Sequence, residues 1–179
     1  MEHQSVIRYN KLSDSVYIIL FTDAAHANLP DKIGSTSGLL VFIADESGNM
    51  CPVSWRSNKV RRIVRSTLAA EALALQEGIE EAMYIRHMMC EMLDLQSHNL
   101  PIHAYIDSRS LLEALRSTKL VCDRRLRIDI GAMKQAIERD IASVNWISGS
   151  DMLANPLTKR GADGSGLLAV FQTGKSAHM

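Results

Sequence analysis

Ile18-Ile19-Leu20-Phe21-Thr22-Asp23-Ala24-Ala25 is the stretch on which the fold turns. An uncharged apolar run with no helical period ends in a lone carboxylate, and small residues follow. Such a run fits a strand buried on both faces. A carboxylate at its end is expected half out of the core, at the rim of a sheet. There it is shielded enough to hold a cation and open enough to admit a substrate. The pattern returns as Pro101-Ile102-His103-Ala104-Tyr105-Ile106-Asp107-Ser108. Two short apolar strands, each ending in Asp, are expected to lie side by side and present Asp23 and Asp107 at one rim. Either Asp alone reads as well as a turn residue or a helix cap. The pair, with a helix between them, favours the functional reading.

Working outward, residues 1–14 read as a loose polar lead-in and residues 15–22 as the first strand. Residues 26–37 carry loop chemistry. Residues 38–44 and 50–56 read as second and third strands joined by a turn at residues 45–49, an antiparallel meander. Residues 57–66 form a basic connector which, with Arg56 before it, holds Lys59, Arg61, Arg62 and Arg65. Leu68, Ala72, Leu75, Ile79, Ala82, Met89 and Leu93 then recur at three- and four-residue steps, predicting a long amphipathic helix capped by Ser66 or Thr67. Glu71 falls along the edge of its buried stripe.

Residues 96–101 break that helix, and a fourth strand ends at Asp107. Ser110 with Glu113 predicts a capping box and a short helix to Arg116. A further helix is expected over residues 123–140, its first turn carrying Arg124, Arg125 and Arg127. Residues 142–147 read as a fifth strand and 148–150 as a turn. Asp151 to Lys159 is read as opening a helix around Pro156. A last short helix is expected over residues 164–173, and residues 174–179 as a disordered tail. The expectation is one α/β domain over residues 15–173. Its mixed five-stranded sheet has strands one to three antiparallel and four and five parallel to the first, with flanking helices.

The chain has 179 residues, enough for one sizeable core. Lys plus Arg total 20, as do Asp plus Glu, so net charge points to no partner and local clusters must be read instead. Cys51, Cys90 and Cys122 lie far apart with no metal-ligand spacing, which disfavours a zinc site or disulfide framework and fits a reducing compartment. No membrane span or signal peptide is expected. There is no GxSxG, Gly-rich phosphate loop or HExxH. His103, in the fourth strand, reads as a packed or surface histidine.

Oxygen ligands without Cys or His suit magnesium or manganese. Crowded carboxylates need a cation or a shifted pKa. Two such ions about 3.5–4 Å apart can clamp the attacking and leaving oxygens of a phosphodiester. The basic connector and the Arg124–Arg127 turn could attract the polyanion, or be solvated faces.

At this point the residues resemble a family, the ribonuclease H domain of copia-type LTR retrotransposon Pol polyproteins. The resembling pieces are Phe21-Thr22-Asp23-Ala24, Ser54-Trp55-Arg56-Ser57, Ser66-Thr67-Leu68-Ala69-Ala70-Glu71, Tyr105-Ile106-Asp107-Ser108, Arg125-Leu126-Arg127-Ile128-Asp129 and Leu153-Ala154-Asn155-Pro156-Leu157-Thr158-Lys159. The resemblance implies a ribonuclease H fold and cleavage of the RNA strand of an RNA–DNA hybrid with two Mg2+ ions, Mn2+ being a substitute. It also implies an adjacent reverse transcriptase domain, and location in a cytoplasmic retrotransposon particle or the nucleus. Asp23, Glu71, Asp107 and Asn155 match the four catalytic, metal-holding positions. Arg56, Lys59, Arg61, Arg62, Arg65, Ser108, Arg124 and Arg125 are the nucleic-acid-binding candidates. The family has Asp where this chain has Asn155, and activity is expected to suffer there. Asp151 is a weaker candidate to replace the missing charge. The alternative is a non-catalytic hybrid-binding or scaffolding module that kept the fold.

Overall fold

A computed structural model describes residues 6–96, 100–119, 121–141 and 143–175. The elements run β1 Val16–Ala25, β2 Thr36–Asp45, β3 Met50–Lys59, α1 Thr67–Leu93, β4 Ile102–Ile106, α2 Arg109–Arg116, α3 Arg124–Asp140, β5 Ser143–Trp146, α4 Asn155–Thr158 and α5 Ser165–Thr173. The sheet order is β3-β2-β1-β4-β5. β1 to β3 are antiparallel, β4 is parallel to β1, and β5 is parallel to β4, as the sequence predicts.

The apolar run in β1 is continuous because both faces of the sheet are covered. Ile18 and Leu20 belong to the core that also holds Leu75, Ile79 and Ala82 of α1. Ile19 and Phe21 belong to the opposite core, with Met152, Leu167 and Val170. Alternation along the strand thus feeds two cores. α1 lies close to β1 at Gly78, where a Cβ would come 2.5 Å from Thr22 Cγ2. Only the missing side chain permits that approach.

Several boundaries differ from the sequence reading. β1 continues through Asp23 to Ala25, because β2 begins at Thr36 and pairs along its whole length. β3 runs on to Lys59, so the first residues of the basic connector are strand, paired with the start of β2. Ser66 caps α1, accepting from the Ala69 N–H at 3.1 Å. Leu93, placed on the apolar stripe, is exposed, and Ile85 and Cys90 are buried instead. Ser108, not Ser110, caps α2 by accepting from the Leu111 N–H. Residues 149–151 and 153–154 form turns, and α4 is a single turn with Ala154 as its N-cap, so Asp151 caps no helix.

The lead-in is not loose over its described part. The Arg8 N–H donates to Phe171 O, and the Ser13 N–H donates to the Asp45 carboxylate. Gly174 O accepts from the Met50 N–H, and Lys175 bridges to Asn49. The helix break at residues 97–99, Ala142 of the fifth strand, residues 1–5 of the lead-in and residues 176–179 of the tail lie outside the described residues.

Candidate active site

β1 and β4 run in parallel register from Ile18 opposite Ile102 to Phe21 opposite Tyr105. Continued by two residues, that register sets Asp23 level with Asp107. α1 packs across the same strand ends and brings in Glu71 from its second turn. One carboxylate oxygen from each of Asp23, Glu71 and Asp107 lies within 4.8 Å of the other two. The juxtaposition expected from the two Asp-ended strands is therefore present.

Burial is deeper than the sequence implies. The strand pattern puts Asp23 at the rim, half exposed, yet it is fully buried. The reason is α4, whose Thr158 hydroxyl donates to Asp23 Oδ2 and whose Leu157 and Thr158 lie against Gly38 of β2. Glu71 is buried too, and its Oε2 has no hydrogen-bond partner. Burial pushes the Glu71 carboxyl up to about 8, and the charges of Asp23 and Asp107 push the same way, while Lys159 and the Ala24 N–H oppose. Burial, then Asp23, also raises the pKa of Asp107, against Lys159.

Asn155 opens α4 beside this cluster. Its Nδ2 donates to Gly149 O at 2.5 Å, and its Oδ1 accepts from Lys159 Nζ at 2.5 Å. Asp151 is exposed, next to the Ser150 hydroxyl, and is not in the carboxylate group. Lys159 closes the last motif, but the sequence reading gives it no role. Its Nζ lies 3.1 Å from Asp23 Oδ1 and 3.9 Å from Asp107 Oδ2. The readable signal is the four-residue step from Asn155, one helical turn. Trp146 is likewise missed. Its indole N–H donates to the Asp107 carbonyl at 2.9 Å, and the Arg109 guanidinium sits 4.2 Å over its ring. No spacing in the sequence pairs those residues, which meet only across β4 and β5. His103 is packed as expected, edge-on to Tyr17 and bonded to the Ser143 hydroxyl.

The basic candidates divide. Arg56 pairs with Glu81, Lys59 with Asp31 and Arg62 with Asp129. Arg56, Lys59 and Arg61 line a groove shared with Glu77, Glu80 and Glu81, which weakens its attraction for a polyanion. Arg62, Arg65, Arg124 and Arg125 converge on one cleft of about 310 Å³ between the connector and the start of α3, where four arginines face two acids, Asp123 and Asp129, the latter paired with Arg62. That cleft also includes Ser66 and Ala69, so it borders the end of α1 that carries Glu71. Ser108 adjoins Asp107, with its hydroxyl engaged in capping α2.

Oxygen donors alone, one of them orphaned and buried, suit a hard divalent cation. Asp23, Glu71 and Asp107 could hold it, with Asn155 at the margin. The arrangement can bind phosphate oxygens through such an ion and polarise water beside it.

This sheet order, with helices on both faces, is the ribonuclease H fold. The N-terminal RNase H domain of a Mycobacterium tuberculosis protein matches with a TM-score of 0.56 at 17% identity, over 87% of this chain and 97% of that one. LC11-RNase H1 solved in complex with an RNA/DNA hybrid matches with a TM-score of 0.56 at 16% identity, over 79% and 93%. The foamy viral protease-reverse transcriptase in complex with an RNA/DNA hybrid matches with a TM-score of 0.56 at 10% identity, over 84% of this chain and 21% of that one. In sequence the chain is related to the retrovirus-related Pol polyprotein from transposon RE2 of Arabidopsis thaliana, 24% identical over 156 residues. That relationship covers 83% of this chain, which spans only 10% of the polyprotein. No protein-family model matches the chain. Fold and relative agree with the retrotransposon ribonuclease H resemblance read from the sequence. Among the described residues no helix is long and apolar enough to cross a membrane.

Proposed function

We propose that the chain is a ribonuclease H that hydrolyses the RNA strand of RNA–DNA hybrids during retrotransposon reverse transcription, leaving 5′-phosphate and 3′-hydroxyl ends. The observation that carries this is the meeting of Asp23, Glu71 and Asp107 within 4.8 Å at the joined ends of β1, α1 and β4. The fold shared with an RNase H1 that was solved holding an RNA/DNA hybrid supports the substrate class.

Asp23, Glu71 and Asp107 would hold two divalent ions, Mg2+ or Mn2+, with Asn155 offering one neutral oxygen. Bound there, the ions supply Lewis-acid stabilisation of the phosphate and a water of lowered pKa. The chain's own residues do the rest. Thr158 fixes the rotamer of Asp23 by donating to it. Trp146 pins the backbone of Asp107. The Arg62, Arg65, Arg124 and Arg125 cleft binds phosphates of the hybrid and sets its register over the carboxylates. The 2′-hydroxyl of the RNA strand is the feature by which such a site tells a hybrid from duplex DNA.

An adjacent reverse transcriptase domain fits this reading, supported by the foamy viral structure in which a similar fold accompanies one. A cytoplasmic retrotransposon particle, or the nucleus, is where the substrate would be met. One observation favours a second reading, a hybrid-binding module without catalysis. Asn155 removes a negative charge where the family has one, and Lys159 bonds to it.

The test is cleavage of an end-labelled RNA–DNA hybrid in Mg2+ and in Mn2+, beside duplex DNA at matched salt. Cleavage of hybrid RNA alone, abolished by Asp107→Asn, is expected. Tight hybrid binding with no cleavage in either metal would select the second reading. Equal affinity for hybrid and duplex DNA would sink both.

A further inference from the structure

We propose that Lys159 is a tethered competitor of the divalent ions, an ammonium that fills part of the carboxylate site in the metal-free protein and must leave it for the site to load. The inference rests on the metal-site reading above and adds a device that controls it. Both oxygens of the buried Asp23 have partners. Oδ2 accepts from the Thr158 hydroxyl, and Oδ1 lies 3.1 Å from Lys159 Nζ. The same ammonium bonds to Asn155 Oδ1 at 2.5 Å and lies 3.9 Å from Asp107 Oδ2. Among the described residues it is the sole basic side chain within ion-pair distance of Asp23 or Asp107.

A second observation concerns the part of the site that the ammonium does not reach. Glu71 Oε2 is buried and has no partner, so the ammonium does not satisfy the whole cluster. The ammonium therefore serves Asp23 and Asn155, and the Glu71 oxygen is left for another cation. Removal of Lys159 from the site is mechanically simple. It follows α4 directly, and its side chain is 44% exposed, so its long stem can swing into solvent with no core to repack. A dication arriving at Asp23 gains an anionic ligand only by displacing that ammonium, and the two cations repel at this distance. Asn155 sharpens the contest. It gives the ammonium an acceptor while withholding the negative charge that would help a dication win.

The experiment is calorimetric titration of Mn2+ into the whole chain without nucleic acid, beside Lys159→Met, Lys159→Arg and Asp107→Asn. Lys159→Met should bind Mn2+ about five- to ten-fold more tightly, the loss of one partly exposed competing charge. Its thermal midpoint in chelator should fall, because the carboxylates lose their internal counter-ion. Lys159→Arg keeps the charge and should stay near the parent. Unchanged or weaker binding in Lys159→Met, or Lys159→Arg binding as tightly as Lys159→Met, would overturn the proposal. If Asp107→Asn loses Mn2+ binding while Lys159→Met gains nothing, the metal site stands and only the competitor role falls. Binding that is absent from the parent, or indifferent to Asp107→Asn, overturns both.

Discussion

Asp23 and Gly38 face each other in the β1–β2 ladder, and the glycine is what lets α4 reach the aspartate. A Cβ on Gly38 would lie 2.8 Å from Thr158 Cγ2 and 3.0 Å from Leu157 Cβ. Gly38→Ala should therefore push α4 off the sheet. Overpacking of this kind costs about 1–3 kcal/mol. Because Thr158 and Lys159 both reach Asp23 from α4 and its end, hybrid cleavage should fall further than stability does. Chemical denaturation and cleavage measured on one preparation check this. A variant that cleaves like the parent would show that α4 need not sit where it does.

The raised pKa of Glu71 gives a pH signature. Its ordinary value is 4.5 and its folded value is about 8. Between those limits the unfolded chain has released the proton and the folded chain has kept it. Folded protein binds more protons, so stability falls as pH rises through that window. In chelator, the parent should lose up to a few kcal/mol, an order-of-magnitude figure for a shift of this size. Glu71→Gln should flatten the slope, and saturating Mg2+ should shrink it. Denaturant midpoints at several pH values, with and without Mg2+, measure it. A parent whose stability rises over that range would contradict the burial-driven shift.

Asn155→Asp should raise Mg2+-dependent cleavage by orders of magnitude, since a hard dication is held better by an anion than by an amide oxygen. The two side chains are nearly isosteric, but the swap is not free of rearrangement. Asn155 Nδ2 donates to Gly149 O, and a carboxylate cannot. The variant should lose about 1 kcal/mol of stability from that bond while gaining metal affinity. Asp151→Asn should change little, because Asp151 lies outside the carboxylate group. The opposite pattern, a large loss with Asp151→Asn and no gain with Asn155→Asp, would move the missing charge to Asp151.

Arg124→Gln combined with Arg125→Gln should weaken binding of hybrids of any sequence. The slope of log affinity against log salt should become shallower by about 1–2, one for each phosphate the protein no longer neutralises. Arg56→Gln, whose parent side chain is paired with Glu81, should alter the slope much less. Fluorescence anisotropy at several salt concentrations separates the two grooves. An equal effect from Arg56→Gln would return the acidic groove to the binding surface.

Much of the architecture is legible in the sequence because β1, β4 and α1 each carry one clear periodic pattern. The placing of Asp23 level with Asp107 follows from two apolar runs with the same ending. What is not legible comes from packing between distant segments. Nothing local shows that α4 would seal Asp23 from solvent, since that depends on a missing Cβ at Gly38 and on Thr158, far apart in sequence. The ladder beyond Thr22 and Arg56 escapes notice because small and polar residues carry no strand signal when their partner strand supplies the pairing. The cap of α2 is misplaced because Ser110 and Glu113 fit a local rule, whereas Ser108 ends the loop that the fold requires. That Arg56, Lys59 and Arg62 face Glu81, Asp31 and Asp129 is likewise not legible, because those acids lie far along the chain from them.

The parallel register of β1 with β4 has a consequence for how the chain acquires its site during synthesis. The carboxylates that meet at the strand ends come from positions 23, 71 and 107, with Asn155 beside them. Pairings of such long sequence separation form late, because loop closure must precede them. A chain that extends only from β1 to α1 holds Asp23 and Glu71 but lacks Asp107, the third carboxylate of the cluster. The carboxylate cluster is thus complete only once β4 has joined β1, and its cover by α4 comes from later still in the chain.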